Sequence, residues 1–126
     1  MLVLDASAAI EAVLQPGGVR EELADAHLFA PTLIDIEFVS AMRRLALSKE
    51  LTATAARAKI SIWQQLEIER VDVVPFIDAI WELRHNLSAY DASYVALAKY
   101  LDAPLLTRDL RMAAAAKQHC RVITDV

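Results

Sequence analysis

Leu87-Ser88-Ala89-Tyr90-Asp91-Ala92-Ser93-Tyr94-Val95-Ala96-Leu97-Ala98 reads as the opening turns of a helix. Tyr90, Tyr94, Leu97 and Leu101 recur at steps of four, three and four, which predicts one buried face. Asp91 falls in the first turn, beside that face rather than opposite it. A carboxylate there either complements the positive end of the helix dipole or is aimed into a pocket shared with other acids. The choice depends on where the other acids fall.

Outward from that helix, the chain alternates short apolar runs with helical stretches. Leu2-Val3-Leu4 has the character of a strand buried on both faces, and it ends in Asp5. A helix is expected over Ala6 to Gln15, broken by Pro16-Gly17-Gly18, with a second short helix over Val19 to Ala26. Leu28 to Ala30 is a weak strand. Thr32 is the expected N-cap of a helix over Leu33 to Ser48, whose buried stripe is Ile34, Phe38, Met42 and Leu45. Glu37 lies one position off that stripe, and Arg44, seven residues on, shares nearly its face. Thr52 is expected to cap a long helix reaching Glu69. Val71 to Val74 is the next expected strand, closed by Pro75, and a helix over Phe76 to Arg84 follows. Beyond the Asp91 helix, Leu105-Leu106-Thr107 reads as a strand with Arg108-Asp109 at its end. An Ala-rich helix over Leu110 to Gln118 and a strand over Arg121 to Ile123 complete the chain.

This alternation predicts an α/β domain with a parallel sheet and helices on both faces. With 126 residues, the expectation is one domain over residues 1–126. Ligands of such sheets bind beyond the carboxyl ends of the strands.

Composition excludes several function classes. The only glycines, Gly17 and Gly18, are adjacent, so neither a P-loop nor a dinucleotide-binding turn is present and no nucleotide cofactor is expected. Net charge is −4, from 13 Lys plus Arg against 17 acids, which is not the basic footprint of a simple nucleic-acid binder. An acidic protein still acts on nucleic acid if metal ions neutralise a carboxylate cluster. Cys120 is the only cysteine and the three histidines lack ligand spacing, so no zinc site is expected. No apolar run approaches the about 20 residues that cross a bilayer, and no signal peptide is visible. The expected setting is cytoplasmic, with no membrane partner.

Four acids share one address. Asp5 follows the first strand and Asp109 the Leu105 strand. Glu37 lies early in the helix after the Leu28 strand, and Asp91 starts the helix before the Leu105 strand. Each has an ordinary alternative: Asp5 feeds a helix N-terminus, Asp109 is an N-cap, Glu37 pairs with Arg43 or Arg44. Together they are harder to explain, because like charges gathered at one edge repel without a compensating cation. Four carboxylates with no His or Cys suit Mg²⁺ or Mn²⁺ rather than zinc. A pair of such ions about 4 Å apart supports in-line phosphoryl displacement by water, with 5′-phosphate and 3′-hydroxyl ends expected. Ser7 and Thr107, each two residues from an acid, either support the site by hydrogen bonding or are ordinary capping and packing residues.

Leu4-Asp5-Ala6-Ser7, Glu37 within Leu33-Ile34-Asp35-Ile36-Glu37-Phe38, the run Tyr90 to Ala98, and Leu105-Leu106-Thr107-Arg108-Asp109 together resemble a PIN domain. More narrowly they resemble the VapC toxin ribonucleases of bacterial and archaeal toxin–antitoxin pairs, over nearly the whole chain. The resemblance implies a three-layer α/β/α sandwich with a short, mostly parallel central sheet, and Mg²⁺- or Mn²⁺-dependent endoribonuclease activity. It implies that Asp5, Glu37, Asp91 and Asp109 form the catalytic metal site, supported by Ser7 and Thr107, with Asp109 the most variable in role. It also implies a VapB-like antitoxin whose C-terminal segment blocks the site, and commonly a homodimer. Ile62, Trp63 and Leu66 are either an apolar groove for a partner helix or plain core. Arg43, Arg44, Arg108 and Arg111 either line an RNA path, Arg44 and Arg108 foremost, or form a solvated face. The rival readings are an RNA-processing PIN nuclease that is not a toxin and a PIN-like module that binds RNA or a partner without cutting. A receiver-type phosphoacceptor is disfavoured, since the first strand supplies only Asp5 and no Lys follows Val122-Ile123.

Overall fold

The computed structural model describes residues 1–126. Five strands form one wholly parallel sheet: β1 (Leu2–Leu4), β2 (Leu28–Pro31), β3 (Ile68–Val71), β4 (Leu105–Leu106) and β5 (Val122–Ile123), in the order β3-β2-β1-β4-β5. Val3 of the central strand is in register with Phe29 on one side and Leu105 on the other. β1, β2 and β4 are buried throughout, as strands covered by helices on both faces must be.

Seven helices make the crossovers: α1 (Ala6–Leu14), α2 (Gly18–Ala24), α3 (Ile34–Leu47), α4 (Ala53–Gln65), α5 (Ile77–Glu82), α6 (Ala89–Leu101) and α7 (Leu110–Ala116). From β1 the chain winds outward through β2 to β3, then returns to β4 and winds the other way to β5. Right-handed crossovers in opposite directions lie on opposite faces of a sheet. Hence α1 to α4 form one outer layer and α5 to α7 the other, giving three layers as expected. The winding reverses between β1 and β4, and the crevice at such a reversal is where open α/β sheets take ligands.

Three expectations are corrected. The third strand is Ile68–Val71, not Val71–Val74, and α4 stops at Gln65 rather than Glu69. β3 is an edge strand, exposed at Glu69 and half-buried at Arg70 and Val71, so Glu69 and Arg70 are tolerated there and mask the strand as helix surface. Val73-Val74-Pro75 instead leads into a 3₁₀ turn over Val74–Phe76. Thr32 is not an N-cap: its N–H donates to the Val71 carbonyl at 3.2 Å, prolonging the sheet, and α3 begins without a side-chain cap. Lastly, α6 has no single buried face. Ala92 to Ala98 are all buried, whereas Tyr90 is 66% exposed. Ala92, Ser93, Ala96 and Ala98 let this helix lie close against the sheet and its neighbours, so burial runs round the helix.

Trp63 is core. Its ring stacks on Phe38 with centroids 4.7 Å apart and planes 9° from parallel. Its indole N–H donates to Asp35 Oδ1 at 2.8 Å, and Arg70 closes a fork on the same carboxylate. Ile62, by contrast, is exposed and Leu66 half-buried.

Candidate active site

Asp5 is the first residue beyond β1 and is 4% exposed. Its Oδ1 accepts from Ser7 Oγ at 2.6 Å and from the Ala8 N–H at 3.0 Å, so it is the N-cap of α1. Its Oδ2 accepts from Thr107 Oγ1 at 2.5 Å. Thr107, fully buried just past β4, in turn accepts from the Asp109 N–H at 3.0 Å. Ser7 Oγ accepts from the Arg108 N–H at 2.9 Å. Two strand ends at the sheet's reversal are thus tied together through one carboxylate and two hydroxyls.

The first turns of α3 carry Glu37 to the same edge. Neither Arg43 nor Arg44 pairs with it. Its partner is Tyr94, whose hydroxyl donates to Glu37 Oε1 at 2.5 Å. Asp91 arrives on the first turn of α6, whose N-cap, Ser88, accepts from the Asp91 N–H at 3.1 Å. Asp109 caps α7, its Oδ1 accepting from the N–H groups of Arg111 and Met112 at 3.0 and 3.1 Å. Asp5 and Asp109 therefore do fill the ordinary capping roles. Those roles and the shared pocket are compatible, because a carboxylate has lone pairs enough for both.

Asp5, Glu37, Asp91 and Asp109 all line one pocket of about 440 Å³, together with Ser7, Ile10, Ile36, Ser40, Arg44, Tyr90 and Tyr94. Burial raises the proton affinity of Asp5 against its hydrogen-bond donors, and the Asp91 charge adds to the rise. Burial likewise raises Glu37 despite the Tyr94 hydroxyl, with further push from Asp91 and Asp5. Asp91 is raised by burial and then by Asp109, with Arg111 opposing. Neighbouring carboxylates thus oppose the ionisation of Asp5, Glu37 and Asp91. Tyr94 is pushed far above the usual phenol range by burial and by the acids around it, so it is a fixed donor.

The donor set is oxygen only, which fits a hard divalent cation. No three of the carboxylates stand close enough to form a finished cage. Asp5 and Glu37 are each held by hydroxyl donors, and Asp109 by its cap.

The arginines divide. Arg44 lines the pocket. Arg108 does not: its guanidinium bonds Glu11 on α1 and the Thr124 carbonyl, binding the C-terminal segment to the fold. Tyr90 and Tyr94 line the pocket although both read as core in the sequence, and Ile10, Ile36 and Ser40 line it without a mark there. Tyr94 stands three residues after Asp91, on the same helical face, and that spacing was the available signal.

Residues 2–118 match the PIN domain family model. The chain is 44% identical over 122 residues to a VapC ribonuclease of Mycobacterium bovis, spanning 97% of this chain and 96% of that one. It belongs to the VapC family of PIN domains. Ribonuclease VapC1 of Mycobacterium tuberculosis is 41% identical over 125 residues, spanning 95% of this chain and 94% of its own. Among solved structures, VapBC2 from Rickettsia felis bound to a promoter DNA fragment matches with a TM-score of 0.71 at 13% identity, covering 97% of this chain and 96% of that one. FitAcB from Neisseria gonorrhoeae matches with a TM-score of 0.71 at 19% identity, covering 98% and 96%. These structural likenesses speak to the fold, and they agree with a VapC chain folded as a three-layer PIN domain.

Proposed function

We propose that this VapC-family chain is the toxin of a VapBC-type pair, an endoribonuclease that hydrolyses RNA phosphodiesters with Mg²⁺ or Mn²⁺. The observation that carries this reading is the gathering of Asp5, Glu37, Asp91 and Asp109 around one pocket, three of them with raised proton affinity. An apolar domain holds such a cluster against its own repulsion most readily when a cation is part of its working state. Ribonuclease relatives spanning the same length support the assignment of RNA as substrate.

In this reading Asp5 and Asp91 would be the principal metal ligands, with Glu37 and Asp109 drawn in to complete the set. A divalent ion held there would supply activation of water and charge stabilisation of the leaving oxygen. The chain's own residues supply position. Thr107 and Ser7 fix both oxygens of Asp5, and Tyr94 fixes Glu37. Arg44, which lines the same pocket, offers a contact for a flanking phosphate.

The same reading includes a VapB-like antitoxin and a homodimer. VapBC2 and FitAB, structures of this fold, are each solved bound to a DNA fragment. A groove of about 1220 Å³ between α2 and α4, lined by Val13, Leu23, Leu28, Ile62, Leu66 and Ile68, suits the apolar face of an antitoxin helix.

The test is incubation of antitoxin-free protein with total cellular RNA in Mg²⁺, in Mn²⁺ and in EDTA, with Asp91→Asn alongside. Discrete fragments that vanish in EDTA and in the variant are expected. RNA bound but uncut under every condition overturns the nuclease reading.

A further inference from the structure

The acid pocket has a wall that the carboxylates do not explain. Two large apolar side chains line it while standing in solvent: Tyr90, 66% exposed, and Ile36, 73% exposed. Each immediately precedes an acid, Tyr90 before Asp91 and Ile36 before Glu37. Neither belongs to the core, which closes behind them through Ile34, Phe38, Tyr94 and Val95. The Tyr90 carbonyl accepts from Ser93 Oγ at 2.6 Å, a contact that helps fix the backbone of this turn. The phenol ring itself has no hydrogen-bond partner and no aromatic neighbour in the fold. An exposed ring and an exposed branched aliphatic chain therefore line the same pocket as the four carboxylates and Arg44.

We propose that Tyr90, assisted by Ile36, is the platform on which a base next to the scissile phosphate stacks. This rests on the ribonuclease reading above and adds its substrate-orienting residues. Every base has a π-face, so an aromatic wall holds a nucleotide without demanding its identity. The acids and Arg44 act on the sugar–phosphate backbone, and charge alone leaves that backbone free to slide along the pocket. A base held on Tyr90 fixes which phosphate lies against the carboxylates. The pocket, at about 440 Å³, has room for one nucleotide, and the exposed ring of Tyr90 is open to the face of its base. Tyr90 acts through the ring and not the hydroxyl.

The experiment compares wild type, Tyr90→Phe, Tyr90→Ala and Ile36→Ala in two measurements. One is the rate at which discrete fragments appear from total cellular RNA under limiting protein. The other is Mn²⁺ affinity by calorimetry, without RNA. Tyr90→Ala is expected to slow cleavage about 10-fold or more, the size usual for a lost base–aromatic stack. Ile36→Ala is expected to slow it a few-fold, while Tyr90→Phe stays near wild type. Mn²⁺ affinity stays the same in all four, because both side chains are exposed and neither is a ligand. Cleavage by Tyr90→Ala at the wild-type rate overturns the proposal and leaves the nuclease standing, and loss of antitoxin binding by that variant would then assign the wall to the protein partner. A parallel loss of Mn²⁺ affinity also overturns it, since Tyr90 would then act through the acids. Wild-type protein that cuts no RNA removes the underlying reading, and the platform with it.

Discussion

Tyr94 and Glu37, 57 residues apart, are joined by a hydrogen bond of 2.5 Å from the phenol to the carboxylate. The bond fastens α6 to α3 at the pocket, and it does so through one of the proposed metal ligands. Tyr94 is otherwise wholly packed in the core.

Tyr94→Phe keeps that packing and removes only the donor. A hydrogen bond to a charged group contributes about 1.5–3 kcal/mol, and half-buried Glu37 regains part of this from water. The bond holds the proton affinity of Glu37 down against burial, so its loss raises Glu37 further. The acid limb of the cleavage pH profile is therefore expected to move to higher pH, with cleavage at neutral pH falling about tenfold. A profile identical to wild type would show that Glu37 needs no such restraint.

Thr107→Val is nearly isosteric, yet it removes the donor to Asp5 and the acceptor for the Asp109 N–H. Thr107 is fully buried, so water does not replace either bond. The expected cost is about 2–4 kcal/mol in denaturant unfolding, together with loss of most cleavage, while Thr107→Ser restores both. An active and fully stable valine variant would mean that Asp5 is placed by its helix cap alone.

The metal-stripped protein should gain stability on mild acidification from neutrality. Asp5, Glu37 and Asp91 all bind protons more tightly folded than unfolded. The folded state then holds more protons in the window between their ordinary and raised values, and stability falls as pH rises through that window. Asp35 runs the other way: Arg70 holds it below its usual range, so its contribution is present above the ordinary value and is lost only in stronger acid. Melting curves across this range, with EDTA and with excess Mg²⁺, test the sign. Excess Mg²⁺ should abolish the gain, and a metal-free melting temperature that falls on mild acidification would contradict the carboxylate repulsion.

Asp35→Ala provides a control outside the acid pocket. It leaves the buried Trp63 indole N–H without an acceptor and releases Arg70. Because the Asp35 side chain is 43% exposed, the charge pair itself adds little, and the orphaned indole sets an expected cost of about 1–3 kcal/mol. Cleavage per folded molecule should be unchanged when unfolding and activity are measured together.

Much of the fold was legible in the sequence because burial on both faces leaves a plain mark. Leu2-Val3-Leu4 and Leu105-Leu106 are short apolar runs ending at an acid or a hydroxyl, and strand ends of that kind place Asp5 and Thr107 at one edge by topology alone. The spacing of Ile34, Phe38 and Met42 likewise fixed the buried side of α3, and with it the position of Glu37. The edge strand was lost to the helix pattern, since a half-solvated strand such as Ile68-Glu69-Arg70-Val71 carries polar residues as freely as a helix surface does.

What the sequence determined by itself was the supply of carboxylates, their order, and the sheet edge at which they collect. Tertiary structure alone decided how each is held. The Asp5–Thr107 bond spans 102 residues and the Glu37–Tyr94 bond 57, and no local periodicity records a pairing across the sheet. It also decided that Tyr90 faces solvent while Tyr94 faces the core. The two tyrosines lie four residues apart on the same helix face and carry the same pattern. They differ only in what stands opposite: the closed packing of α6 against the sheet for Tyr94, and the open mouth of the acid pocket for Tyr90.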